Sequence, residues 1–229
     1  MNLVEKMLSA KPFKCPNCGQ ELPLADVNVA QDAALCRACG YTGSFLAAAT
    51  VPRLTDEELA RPPKRVSLQR GFGDALTVTC RPRRGTLWFL IPFTAFWSGF
   101  SMAGIYGTQL ASGHFDPKLS LFGLPFLAGT IVLVTVILYC LFGKTTVTLS
   151  KGRVQTFTGL FGLGRTREME CGPGTVVTIA QSNFRSNNVP QPEIVVTSGD
   201  RSLKFGAMAI PNDALPYVAA VLRRAAGGG

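Results

Sequence analysis

The stretches Phe13-Lys-Cys15-Pro-Asn-Cys18-Gly19 and Cys36-Arg-Ala-Cys39-Gly40-Tyr41 organise the reading of this chain. Each is a CxxC knuckle, and seventeen residues separate the two. Four thiolates at this spacing converge on one tetrahedral cation, and an all-sulfur donor set points to zinc. Pro16, Gly19 and Gly40 suit knuckle turns whose backbone amides can donate hydrogen bonds to sulfur. Protein fills all four coordination positions, so no reacting water has a place and a structural Zn2+ is expected. Iron, a redox dithiol pair and an empty cluster are the alternatives.

Outward from the cysteines, the chain turns apolar. Among the 229 residues 47% are hydrophobic and only 16% charged, against about a quarter charged in soluble proteins. Between Gly85 and Gly143 the only charged residues are Asp116 and Lys118. Two uncharged runs lie there, roughly Thr86–Leu110 and Leu119–Phe142. Each exceeds the ~20 residues a helix needs to cross a bilayer. Trp88, Tyr106 and Tyr139 fall near the ends of the runs, as interfacial aromatics do. Pro92 and Pro125 are expected in the first helical turns, where proline does least harm.

Charge sets the expected topology. Residues 51–84 hold eight basic against four acidic residues, and residues 144–229 ten against five. Arg81, Arg83 and Arg84 precede the first run, Lys144, Lys151 and Arg153 follow the second, and the loop Ala111–Lys118 is nearly neutral. The positive-inside rule places both termini in the cytoplasm, in a two-pass protein of the cell (inner) membrane. Reduced cysteines fit the same side. Residues Met1–Ala10, with Glu5 and Lys6, lack a signal-peptide core. The basic excess flanks the membrane segment, which favours an anionic lipid surface over nucleic acid.

The first run also carries Ala95, Gly99, Ala103 and Gly107 at four-residue spacing, a face that admits close approach of another helix. Its partner is either the second span, which is favoured, or another copy of the chain.

The other segments read as follows. Residues 1–12 are a lead-in with Leu3, Met7 and Leu8 on one side, 13–46 the metal module, and 47–64 a proline-bearing linker that lets the module reach away from the bilayer. Thr55 is placed to cap a short helix at Asp56-Glu57-Glu58. In 65–84, strand patterns cover Arg65–Arg70 and Ala75–Arg81, turning at Gly71–Gly73; Leu76, Val78 and Cys80 alternate with polar residues. Residues 85–143 form the hairpin of the two spans. In 144–229, strands are expected at Thr146–Ser150 and Arg153–Thr158 around the turn Lys151-Gly152, then at Gly164–Glu170, Thr175–Gln181, Glu193–Ser198 and Ser202–Gly206. A closing amphipathic helix spans Asp213–Ala226, capped by Asn212, with Leu215, Val218, Ala219 and Leu222 on one face.

Nothing assembles acid–base chemistry. His114 is the sole histidine and lies in the loop, while Cys80, Cys140 and Cys171 are scattered and read as packing groups. Gly162-Leu163-Gly164 and Gly172-Pro173-Gly174 lack the setting of a nucleotide loop. The chain is therefore expected not to be an enzyme. One surface feature stands apart: Gly159-Leu160-Phe161-Gly162-Leu163-Gly164, followed by Arg165 and Arg167. An apolar tip beside cations can enter a membrane interface. The favoured reading has Leu160 and Phe161 cover the domain's own core or dock on the metal module.

Residues 13–40 resemble the zinc-ribbon family, which implies a small three-stranded, metal-pinned module. From Arg65 onward the order of elements resembles bacterial membrane proteins in which a two-helix hairpin is inserted into a pleckstrin-homology-like β domain. The residues carrying this are Leu76–Arg81, the basic Arg83-Arg84, the span with Trp97, then Val147–Leu149, Arg153–Thr158, Arg165–Glu170 and the closing helix. The resemblance implies a bent antiparallel sheet in which Arg65–Arg81 pairs beyond the hairpin. A self-contained domain at 144–229, with 65–84 a separate ribbon, is the alternative. The expected fold is a multi-domain membrane protein: zinc ribbon, transmembrane hairpin, and PH-like antiparallel β domain with one C-terminal helix. The expected role is a cytoplasmic-face scaffold or regulator acting through an unidentified protein partner. An accessory subunit of a larger transport or secretion complex is the alternative, and nucleic acid is disfavoured.

Overall fold

The computed structural model describes residues 13–15, 18–71, 75–172 and 174–227. The expected lead-in at 1–12, with Leu3, Met7 and Leu8, and the turn residues Pro16, Gly73 and Pro173 lie outside the described residues. The chain divides into two units. One holds the described residues up to Cys80, Thr145–Thr158 and those from Arg165 onward; the other holds Arg81–Lys144 and Gly159–Gly164.

The first unit opens with a three-stranded sheet of β1 (Val27–Asn28), β2 (Ala33–Leu35) and β3 (Thr42–Gly43). Its small core joins Cys15, Leu22, Ala34, Cys36 and Phe45. Phe13 packs edge-on to Phe45, with ring centroids 4.9 Å apart. Helix α1 (Phe45–Thr50) starts where the Ser44 hydroxyl accepts from the Ala47 amide at 3.0 Å. Helix α2 (Asp56–Ala60) starts at a capping box: Glu58 N–H donates to the Thr55 hydroxyl, and the Thr55 amide donates to the Glu58 carboxylate. This pairing satisfies two donors that a helix start otherwise leaves bare.

Residues 47–64 are not a free linker, so the expectation of a module reaching away is corrected. Val51 is buried in the main core of this unit, and Leu54 and Leu59 pack against it. The Arg223 guanidinium donates to the carbonyl oxygens of Val51 and Pro52. The Tyr217 hydroxyl donates to the Leu59 carbonyl oxygen at 2.6 Å, and the Ile179 amide donates to the Thr50 hydroxyl at 3.1 Å. Apolar residues between the prolines and the carbonyls of two short helices find partners here that composition does not reveal.

Two larger sheets follow. A five-stranded sheet runs β4 (Val66–Arg70), β5 (Leu76–Cys80), β6 (Lys144–Ser150), β7 (Arg153–Leu160) and β8 (Leu163–Glu170), in that order. A three-stranded sheet is ordered β11 (Arg201–Phe205), β10 (Val189–Ser198), β9 (Val176–Ser186). Strand β5 pairs antiparallel with β6, Val78 opposite Val147 and Cys80 opposite Thr145. Residues 65–84 are thus not a separate ribbon. The chain leaves the sheet after Cys80 and re-enters it one strand over.

The alternation in β5 works as the period of two requires. Val78 and Cys80 are buried with Val147, Val154, Ile194 and Val196 in one core, while Thr77 and Thr148 meet on the other face, hydroxyl to hydroxyl at 3.4 Å. Each such valine or isoleucine contributes about 1.5–3 kcal/mol on leaving water. The C-terminal helix (Leu215–Gly227) closes this core with Leu215, Val218, Ala219 and Leu222 all buried. It begins at Leu215 rather than Asp213, so Asn212 is not its cap. The preceding turn instead has Ala214 and Leu215 donating to the Pro211 carbonyl oxygen.

Lys151-Gly152 and Phe161-Gly162 make two-residue turns with both residues at positive φ, the backbone a tight hairpin needs. So do Asn187 and Asn188, joining β9 to β10. Both strands run beyond the expected ends at Gln181 and Glu193, because Pro190 and Pro192 mask in the sequence a strand that tolerates them through a register shift.

In the second unit, helix α3 (Leu87–Met102) continues through a wider π turn (Ala103–Gly107) into α4 (Thr108–Ser112), and helix α5 covers Pro117–Phe142. Each apolar path is 26 residues long, about 39 Å at 1.5 Å per residue. Both are long and apolar enough to cross a membrane. Asp116 caps α5 by accepting from the Lys118 amide, with Pro117 in the first helical position. Helix α5 therefore starts earlier than expected, so Pro125 lies in its interior. Pro92 likewise sits past the first turn of α3.

The contact between the two helices uses large and polar residues. Trp97 lies 5.5 Å from Phe126, the Ser98 hydroxyl donates to Thr130 at 3.1 Å, and the Tyr106 hydroxyl donates to the Ser120 carbonyl oxygen at 3.0 Å. Ala95, Gly99 and Ala103 are exposed, and a Cβ built on Gly99 meets nothing within 4 Å. The expected partnership of this small-residue ladder with the second span is therefore corrected: it faces outward. The small residue that matters inside the hairpin is Gly123, whose added Cβ falls 2.5 Å from the Tyr106 hydroxyl oxygen.

Candidate metal centre

Both cysteine knuckles fold by the same local pattern. Gly19 N–H donates to the Cys15 carbonyl oxygen at 2.9 Å and Gly40 N–H to that of Cys36 at 2.8 Å. The Cys15 amide then donates to Gln20, and the Cys36 amide to Tyr41. Gly19 and Gly40 sit at φ +80° and +70°, where a side chain would strain the turn. Two equivalent turns thus aim four sulfurs at one point.

The sulfurs converge. Cys15 Sγ lies 3.6 Å from Cys39 Sγ, and Cys18 Sγ 3.6 Å from Cys36 Sγ, with all four within 4.8 Å of one another. A tetrahedron with Zn–S bonds of about 2.3 Å has sulfurs about 3.8 Å apart. The four cysteines are therefore placed to hold one metal ion, and the donor set fits a structural zinc site.

Electrostatics of the bare thiols point the same way. The amide hydrogen bond at Gln20 lowers the Cys18 pKa, but desolvation and the three neighbouring cysteines raise it by more, to about 12. Four sulfurs this close do not share negative charge without a cation. Cys15 and Cys36 are buried, Cys18 and Cys39 exposed, so one side of the cluster seals against the small core.

The surroundings keep the centre in place. Arg37, between the second pair of cysteines, donates to Asp26 at 2.7 Å. The one basic residue between the paired cysteines is thereby tied to its own module. Asp32 accepts from the Ser44 hydroxyl at 2.6 Å and from the Leu46 amide at 2.7 Å, fastening the module to α1. Beside Cys18 opens a cleft of about 1000 Å³ lined by Tyr41, Arg53, Leu59, Val177 and Arg223. Residues far apart in the chain form its walls, so it is not legible from local sequence.

The remaining cysteines behave as packing groups. Cys80 is buried, and burial pushes its thiol up to about 12. Desolvation also raises Cys171. His114 is exposed in the loop between the long helices.

The apolar tip departs from the favoured reading. Phe161 is 71% exposed and Leu163 82%, so neither covers a core; Leu160 is half-buried. The Phe161 ring lies 5.2 Å from that of Phe142, at the end of α5. Arg165 is exposed, whereas the Arg167 guanidinium donates to the Lys204 carbonyl oxygen at 2.9 Å. No protein family, curated protein or solved structure matches this chain.

Proposed function

We propose that this chain is a two-pass membrane protein whose metal-pinned module serves as a protein-contact element on the cytoplasmic face. The module is read as a zinc ribbon holding a structural Zn2+ at Cys15, Cys18, Cys36 and Cys39. The two larger sheets and the C-terminal helix are read as a PH-like domain interrupted by the hairpin.

One observation carries the scaffold or regulator role. The metal module exposes Leu24, Val29 and Leu35 around its β1–β2 hairpin, while Arg37 pairs with Asp26, Asn28 with Gln31 and Ser44 with Asp32. Exposed apolar residues on a rigid support are what a protein partner covers. Membrane insertion rests on two 26-residue apolar helices whose outer surfaces carry Phe96, Phe100, Ile131 and Val132. Such surfaces are unfavourable in water and favourable in lipid. The outward ladder Ala95, Gly99, Ala103 favours a second reading, in which the hairpin packs into a larger membrane assembly.

Cross-linking in native membranes followed by mass spectrometry tests the proposal. Wild type is compared with a Leu24→Ser, Leu35→Ser variant that keeps its metal. A partner captured by the wild type and lost from the variant supports contact through the module. Capture that depends instead on Gly99 moves the function to the hairpin, and a chain removed from membranes by alkaline carbonate refutes insertion.

A further inference from the structure

Among the described residues, three hairpin turns have both central residues at positive φ, and two of them are polar: Lys151-Gly152 and Asn187-Asn188. The third is Phe161-Gly162, with Phe161 at φ +51°. A bulky aromatic is disfavoured in that conformation. Local folding does not call for it, and Phe161 and Leu163 are left bare rather than buried. Exposed apolar residues at a strained position are a feature to be explained by something outside the chain.

The Phe161 ring lies against that of Phe142, the last residue of α5, tilted by 35° with ring centroids 5.2 Å apart. Arg84 reaches the same end, its guanidinium donating to the Leu141 carbonyl oxygen at 3.0 Å. Lys144 follows one residue beyond Gly143 and is exposed, as is Trp88 at the start of α3. One end of the hairpin thus gathers an apolar tip, an interfacial tryptophan and two cations. Aromatic and basic residues together are the composition of a bilayer's headgroup layer.

We propose that the turn Phe161-Gly162-Leu163 inserts into the headgroup layer of the bilayer that α3 and α5 cross, with Arg84 and Lys144 taking anionic phospholipid headgroups beside it. This rests on the membrane reading of the hairpin. The tip is a third anchor, contributed by the β7–β8 hairpin rather than by a span. It shields Phe161 and Leu163 from water and brings the cations to the depth of lipid phosphates.

Single-tryptophan chains provide the test. The protein has two tryptophans, Trp88 and Trp97. The full chain with Trp88→Phe, Trp97→Phe and Leu163→Trp is reconstituted in phosphatidylcholine vesicles, with and without phosphatidylglycerol, carrying lipids brominated near the headgroup. A chain keeping only Trp97 serves as reference, with lipids brominated deeper in the acyl chain. Leu163 is 82% exposed, so its replacement requires no repacking; Phe161→Trp in the same background gives a second position.

The expected result is a blue-shifted emission at position 163 that loses most of its intensity to brominated lipid, with stronger quenching in phosphatidylglycerol. Unquenched emission at 161 and 163, with Trp97 quenched, overturns the inference and leaves the membrane reading intact. Unquenched Trp97 overturns the membrane reading and the inference with it. Equal quenching in the two lipid mixtures overturns the role of Arg84 and Lys144.

Discussion

The Arg223 guanidinium donates to the carbonyl oxygen of Val51 at 2.8 Å, joining the C-terminal helix to a segment 172 residues earlier in the chain. It also reaches the carbonyls of Pro52 at 3.0 Å and Ala47 at 3.4 Å. Burial pushes its pKa down, yet a guanidinium stays charged, and three acceptors at a helix end suit that charge. Next to it Arg224 pairs with Asp56. Arg223→Met keeps much of the stem and strands the carbonyls. The expected loss is about 1–3 kcal/mol, with faster amide exchange across 47–60 and unchanged metal content. Exchange confined to the C-terminal helix would show that the clamp does not hold the N-terminal segment.

Metal removal should act locally. Purified protein is expected to hold one zinc per chain, and Cys15→Ser and Cys36→Ser should each lose it. Chelation should open the segment around β1–β3, whose own core is only five residues, while amides opposite Ile194 in the larger sheets stay protected. A structural site supplies folding free energy to its own module. Metal content well below one per chain, unaltered by the substitutions, refutes the site.

The cap of α2 should be sensitive to acid. The Thr55 amide, and then its hydroxyl, hold the Glu58 carboxyl below its ordinary 4.5. A carboxylate whose pKa is depressed by folding adds stability above the unfolded value, and that stability is lost as pH falls through the folded value. Thr55→Ala is expected to cost about 1 kcal/mol. Below about pH 4.5 the wild type should lose stability more steeply than Glu58→Gln, read from denaturation midpoints across pH. Identical acid limbs would remove the carboxylate from the account.

Two glycines in the long helices should answer differently. Gly123→Leu drives a side chain into Tyr106 and Ile105 and should destabilise the hairpin by about 1–3 kcal/mol. Gly99→Leu meets open space and should leave monomer stability unchanged. The size of the protein in detergent, measured alongside, shows whether the outward ladder binds another chain. Equal destabilisation by both would contradict the helix faces described above.

Much of the chain was legible wherever a local rule decides the outcome. Ligand spacing and glycine turns placed the metal centre. The alternation of Leu76, Val78 and Cys80 marked β5, and the spacing of Leu215, Val218, Ala219 and Leu222 marked the buried face of the last helix. Thr55 and Glu58 announced a capping box. The linker and the small-residue ladder share a cause: each concerned a partner that local spacing does not identify. Pro52, Pro62 and Pro63 read as a loose linker because Arg223 and Tyr217, which bind its carbonyls, lie over 150 residues away. The small-residue ladder was given to the nearest helix because spacing tells that a face exists and not where it points.

The cysteine spacing, the two apolar runs and the strand alternation are properties of neighbours in the chain, set by bond geometry and by the repeat of helix or strand. The sequence alone therefore determined the four-cysteine cluster, the membrane-length helices and most of the strands. Tertiary structure decided that β5 pairs with β6 across the inserted hairpin, that segment 47–52 is bound to the C-terminal helix, and that Phe161 lies beside Phe142. These follow from which buried surfaces and unpaired carbonyls meet when the chain closes on itself, and hydrogen bonding and apolar burial act through space without regard to separation along the chain.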